Sequence, residues 1–143
     1  MSVSLEIDGE KIAVRGMAST DMGYVLQTWI RSYKPIAKVS QPMFEKHHAP
    51  LVRKLIANAR VAIACPADSK DETTILGWAC GDDDGLHYAY IPDGLRGRGL
   101  ARMLIGSVLG TYPARIEVSH RFVNGNESRN RFVYNPYRLG VLT

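Results

Sequence analysis

The stretch IPDGLRGRGLARMLI, residues 91–105, decides how this chain is read. Arg96, Gly97, Arg98 and Gly99 alternate charge with backbone freedom and then give way to an apolar helix. Glycine loses more conformational entropy on ordering than any other residue, so two of them at a strand-to-helix junction need a use. A helix N-terminus supplies one: its first amides lack intrahelical partners and carry the positive end of the helix dipole, so they bind anions. Gly97 and Gly99 have no Cβ to obstruct a ligand, Ala101 keeps the first turn small, and Arg96 and Arg98 suit phosphate oxygens. These are the parts of a pyrophosphate cradle.

Two familiar cradles fit poorly. A P-loop ends in Gly-Lys-Ser/Thr, which this stretch lacks. A dinucleotide-binding turn wants a third glycine or small residue where Arg102 stands. Glu117 lies at a suitable spacing to meet a ribose, but that fold needs more parallel strands than the residues after 120 supply.

Outward from the turn, LHYAYI (86–91) reads as the strand before it and ARIEVSH (114–120) as the strand after the helix of about 97–109. Upstream, VSLEI and KIAVR form a strand pair around the DGE turn. STDMGYVLQTWIRSYKP opens with the capping residues Ser19, Thr20 and Asp21 and predicts a helix that stops at Pro35. Met22, Val25, Leu26, Trp29, Ile30 and Tyr33 would form its buried face. A second helix is expected over about 42–59, with Pro50 marking where it becomes regular. RVAIACP and TILGWACG are strands joined by a charged loop, and the tail holds a short helix around 126–132 and a strand from about 132. Three consecutive strands before a single crossover helix predict a mixed α+β sheet, not a doubly wound one.

The chain has 143 residues, which fits one domain over residues 1–143, long enough to bury a core without staples. The formal charge of +4 suits an anionic ligand. No run approaches the roughly 20 apolar residues of a membrane span. The start, MSVSLEIDGEK, lacks the pattern of a signal peptide, so a cytoplasmic protein is expected. Cys65 and Cys80 read as small core residues; neither a disulfide framework nor a metal site is implied.

The run Arg96-Gly97-Arg98-Gly99-Leu100-Ala101 resembles the signature of the GNAT superfamily of N-acetyltransferases, Arg/Gln-x-x-Gly-x-Gly/Ala, and the strand, helix and strand around it have that family's order. TWIRSYKP and FVYNPYRLG also look like segments of small GNAT-like proteins encoded in phage genomes, a weaker likeness. The resemblance implies a mixed, mostly antiparallel central sheet flanked by helices, and acetyl transfer from acetyl-CoA to a primary amine, a small molecule or a protein. It would place pyrophosphate on the amides of Arg98, Gly99, Leu100 and Ala101, with Gly97 shaping the turn and Arg96 opening it. Main-chain groups of Tyr90 and Ile91 would meet the pantetheine arm.

Such a transfer needs a neutral amine and a proton for the departing thiolate. The family's acid is a tyrosine in the helix after the strand that follows the motif, and this chain has no clear counterpart there. Tyr134 is the candidate acid and Tyr137 the fallback; both also fit as ordinary strand tyrosines. Candidate bases are Glu117, an isolated carboxylate alternating with Ile116 and Val118, and His120 at that strand's end, with His87 competing. Adjacent His47 and His48 splay apart on a helix and suit the substrate side or the packing beneath it. Trp29, Tyr33 and Trp78 read as core, and Asp82, Asp83 and Asp84 as a solvated loop that would also attract an amine. Two rival readings stand: a degenerate member that binds a protein partner, and, ranked lower, a nucleic-acid-binding module using Arg121, Arg129, Arg131 and Arg138, which lacks a reading motif. A second copy of the chain is a further partner to consider.

Overall fold

The computed structural model describes residues 5–37, 39–67, 74–82, 85–120 and 132–135. Seven strands lie side by side in sequence order: β1 (Leu5–Ile7), β2 (Glu10–Gly16), β3 (Arg60–Pro66), β4 (Gly77–Gly81), β5 (Leu86–Tyr90), β6 (Ile116–Val118) and β7 (Phe132–Tyr134). Helices α1 (Met22–Ala37), α2 (Gln41–Met43) and α3 (Ala49–Asn58) intervene between β2 and β3, and α4 (Leu100–Leu109) between β5 and β6. Pairing is antiparallel from β1 to β5 and parallel for β5–β6 and β6–β7. This is the mixed, mostly antiparallel α+β sheet that the order of elements predicts.

Local chemistry sets the element ends. Asp8 and Gly9 both take left-handed φ, 53° and 82°, as a two-residue hairpin turn between twisted strands requires. Ahead of α1, the Asp21 carboxylate accepts the Ala18 N–H at 2.7 Å and the Arg15 Nη1 at 2.6 Å. The Arg15 hydrogen bond holds Asp21 below the ordinary carboxylate range.

Two helix expectations need correction. The first helix does not stop at Pro35 but runs to Ala37; the ring is exposed, and Ile36 just beyond it packs into the core and holds the last turn. Met22, at the very start of α1, is exposed, so the buried stripe begins at Val25 and continues through Trp29 and Tyr33. The helix expected over 42–59 is broken by a π-helical turn at Phe44–His48 before α3 begins. Pro50 explains the break, because it has no N–H to offer the carbonyl of Lys46.

The sheet separates two packing clusters. Under α4 lie Ile12, Ala62, Ala64, Ala79, Leu86, Leu104 and Ile116, all aliphatic. Under α1 and α3 lie Trp29, Tyr33, Phe44, Trp78 and Tyr88. Leu86 and Tyr88 belong to opposite clusters although two residues apart, because β5 carries a bulge there: Tyr88 stands opposite Cys80, Leu86 opposite Gly81, and His87 is the extra residue. A Cβ on Gly81 would meet the Gly85 carbonyl at 2.7 Å, so only glycine allows this approach.

Candidate active site

β5 and β6 part just beyond the bulge. Leu86 pairs with Val118, and the Ser119 N–H donates to the Leu86 carbonyl at 3.0 Å. β6 ends at Val118, while β5 continues to Tyr90 and turns into the glycine stretch. Among the described pairings, Tyr88, Ala89 and Tyr90 are matched only to β4. Among the described residues, no strand pairs with the other edge of β5 along the part that leads to the turn.

In the turn, Gly97 and Gly99 adopt φ of 77° and 87°, and Gly99 is the N-cap of α4. An added Cβ at Gly97 would meet nothing within 4 Å, so backbone handedness, not crowding, demands glycine there. At this end the Met103 N–H donates to the Gly99 carbonyl at 3.1 Å. The amides of Leu100, Ala101 and Arg102 precede it, without intrahelical acceptors. Gly97, Arg98, Gly99 and Ala101 are exposed, while Leu100 is buried and anchors the turn. Arg96 Nε donates to the Ile91 carbonyl at 2.8 Å and Nη1 pairs with Asp93 at 2.6 Å. Arg98 Nη1 reaches Asp8 of the β1–β2 hairpin at 2.7 Å. Tyr90, half-buried, stacks on Trp78. The exposed Gly97, Arg98, Gly99 and Ala101, with Arg96 and Arg98 beside a helix N-terminus, suit an anion.

At the parting of the strands the structure gathers a second group. His87 Nδ1 lies 2.7 Å from Ser119 Oγ, and Ser119 Oγ lies 2.9 Å from His120 Nδ1. His120 Nε2 lies 3.1 Å from Nε2 of His48, on the π-helical turn. At the other end His87 Nε2 stands 3.5 Å from Asp82 Oδ2, within reach of charge attraction but longer than a direct hydrogen bond. His120 is fully buried, packed edge-on against Trp29 and Tyr33. Burial, with His48 and His87 nearby, drops its pKa to about 3. His48 is half-buried, stacked on Tyr33, and burial lowers its pKa as well. Tyr88 Oη shares a 2.8 Å hydrogen bond with Ser32, and burial raises its pKa. In the same cluster the Trp29 indole N–H is buried and finds no acceptor among the described residues.

The other expected residues fall elsewhere. The Glu117 carboxylate accepts Asn135 Nδ2 at 2.7 Å. Tyr134 is exposed on β7, in register with Val118 and two residues from Phe132, which packs on the α4 side; strand alternation gives Tyr134 that same side. His120 contacts the aromatic cluster on the opposite side. His47 is exposed and Cys65 only half-buried, while Cys80, Trp29, Tyr33 and Trp78 are core. Tyr137, Asp83, Asp84, Arg121, Arg129, Arg131, Arg138 and most of the expected helix at 126–132 lie outside the described residues. Sequence reasoning missed Ser119 entirely. Its one signal was a serine next to a histidine at a strand end.

Sheet, crossover and glycine turn together make an α+β arrangement of the kind the GNAT resemblance implies. No family model matches the chain, and no curated protein matches it. Among solved structures it is similar to apo-form YjaB from Escherichia coli, at 18% identity and TM-score 0.49, over 69% of this chain and 65% of that one. It is similar to a GCN5-related N-acetyltransferase from Rhodopseudomonas palustris, at 15% identity and TM-score 0.48, over 68% and 65%. A third is the ribosomal-protein-alanine N-acetyltransferase from Brucella melitensis biovar Abortus, at 14% identity and TM-score 0.46, over 92% and 87%. The match spans just under two thirds of the length of the first two, 65% of each. These likenesses are of fold, and the chemistry rests on this chain's own residues. Among the described residues, no helix is long and apolar enough to cross a membrane, and no group of three or more His, Cys, Asp or Glu is placed to hold a metal.

Proposed function

We propose that the chain transfers an acetyl group from acetyl-CoA to a primary amine. The observation that carries this reading is the coupling of a β5 edge that no described strand pairs with to a left-handed glycine turn at the N-terminus of α4. An extended, amide-bearing arm would pair along β5 at Tyr90 and Ile91, and its pyrophosphate would rest on the amides of Arg98, Gly99, Leu100 and Ala101. Gly97 would set the turn's direction. Arg96 and Arg98 would supply positive charge, Arg98 by exchanging its Asp8 partner for phosphate. The reaction forms a C–N bond and breaks a C–S bond; the amine gives up one proton and the thiolate takes one. Tyr134 remains the proposed donor to the thiolate and Glu117 a proposed acceptor on the amine side; His120, fully buried, would take the proton only by relay through His48.

Calorimetric titration with acetyl-CoA, CoA and NAD tests the reading, repeated with Ala101→Glu. Position 101 is exposed in the first turn of α4, where a glutamate favours the helix dipole yet repels phosphate. The expected result is binding of acetyl-CoA and CoA but not NAD, lost in the variant while its melting temperature holds or rises. Absence of acetyl-CoA binding to the unmodified chain overturns the reading.

A further inference from the structure

The groups Asp82, His87, Ser119, His120 and His48 come from the β4–β5 connection, the β5 bulge, the end of β6 and the π-helical turn. Four consecutive separations of 3.5, 2.7, 2.9 and 3.1 Å join them into one file. Its two ends, Asp82 and His48, are half-buried, while His87, Ser119 and His120 between them are buried. We propose that this file is a proton conduit, with His48 as the base that takes the amine's proton and Asp82 as the exit to solvent. The proposal rests on the acetyl-transfer reading for the proton's source.

Neutral imidazoles carry one N–H each, so the file has only two self-consistent orientations. The Asp82 carboxylate accepts and cannot donate, which selects one of them. His87 then bears its proton on Nε2, facing Asp82, and accepts on Nδ1 from the Ser119 hydroxyl. Ser119 accepts from His120 Nδ1–H. His120 Nε2 accepts from His48 Nε2–H, leaving the lone pair of His48 Nδ1 at the open end. A proton arriving on that lone pair is balanced by four transfers in one direction: His48 Nε2 to His120, His120 Nδ1 to Ser119, Ser119 to His87, His87 Nε2 to Asp82. No buried group carries charge before or after; Asp82 passes the proton to water, and the four transfers run back, with His48 Nδ1 releasing its proton once the product has left, to restore the starting orientation. The 3.5 Å last step closes by rotation of the half-buried Asp82 side chain. Among the described contacts, Tyr33, Tyr88 and Trp29 meet the file through ring faces and edges, and the Tyr88 hydroxyl is bonded to Ser32. The bulge matters because it frees His87 from strand alternation and turns it toward Ser119.

The test has an arm that needs no activity. Nitrogen–proton correlation spectra of isotope-labelled histidines should show His48 and His87 as Nε2–H tautomers and His120 as Nδ1–H. In Ser119→Ala, His48, which Ser119 does not touch, should lose its tautomer preference, and Ser119→Thr, which keeps the hydroxyl, should restore it. A wild-type pattern that does not alternate in this order, or a His48 that ignores Ser119→Ala, overturns the conduit even if acetyl transfer is found. Given an amine that is acetylated, Ser119→Ala should lower kcat about 100-fold with KM and acetyl-CoA binding unchanged, and Ser119→Thr should recover most of it. An unchanged kcat also overturns it. Failure to bind acetyl-CoA, with the tautomer pattern intact, would instead remove the source of the proton and not the file.

Discussion

The two faces of the sheet are built from different materials. Under α4 the chain packs Leu, Ile, Val and Ala against a helix whose only task on that side is to cover them. Under α1 and α3 it packs tryptophans and tyrosines around buried histidines that must each find a partner. The first face gains stability from burying apolar area and is indifferent to pH. The second spends part of that gain on polar groups whose protonation must stay fixed. A protein needing stability alone would have two faces of the first kind; the second is where chemistry is expected.

The largest effect that should separate the faces is a cavity. Leu104→Ala, which truncates a fully buried side chain of α4, should cost about 3 kcal/mol in urea unfolding, with the same cost at pH 7 and pH 5. A cost that changes with pH would break the claim that this face is indifferent to it.

Next comes acid. His120 titrates near 3 in the folded chain and near the ordinary value of about 6.5 when unfolded. Its depressed pKa means the unfolded state binds the proton first, so its contribution is full above about 6.5 and is lost as pH falls toward 3. Stability should drop by about 2 kcal/mol between pH 7 and pH 5, and His48, shifted the same way, adds to it. His120→Gln should flatten that slope; an equally steep slope in the variant would place the acid sensitivity elsewhere.

Two smaller effects sharpen the contrast. Trp78 Nε1 donates to Thr28 Oγ1 at 2.8 Å, so Thr28→Val should cost about 1–2 kcal/mol by orphaning a buried donor. Trp29 is already such an orphan, so Trp29→Phe should cost less than Trp78→Phe in paired thermal melts. Gly99→Ala should cost about 1 kcal/mol, from its φ of 87° and not from crowding, since the nearest atom to an added Cβ is Leu5 Cδ1 at 4.0 Å. A neutral Gly99→Ala would mean that the turn adapts.

The glycine turn was legible because Arg96 to Ala101 are contiguous and their demands are local: handedness, size and charge. The mixed α+β class followed from three consecutive strands before the single crossover at α4. The histidine file was not legible, because His48 and His120 are 72 positions apart and meet only after the sheet forms. His87 was visible as a competing base but its direction was not, since period-two reading cannot show which residue in LHYAYI is the extra one. Pro35 misled because proline's missing bond costs little one turn from a helix end when Ile36 still packs. Met22 misled because a helix's first residue can extend the apolar spacing past the surface it covers.

Spatial order equal to chain order also has a kinetic meaning. The β3–β4–β5 meander closes only short loops, whereas β2 must meet β3 across three helices and β6 must meet β5 across α4. Longer closures come later on a folding path, because their entropy is lost before contacts repay it. The members of the histidine file arrive on segments from both long closures. Burial of His120 should therefore trail formation of the meander, and in a stopped-flow refolding experiment begun at pH 5 the loss of its proton to solvent should mark the last phase.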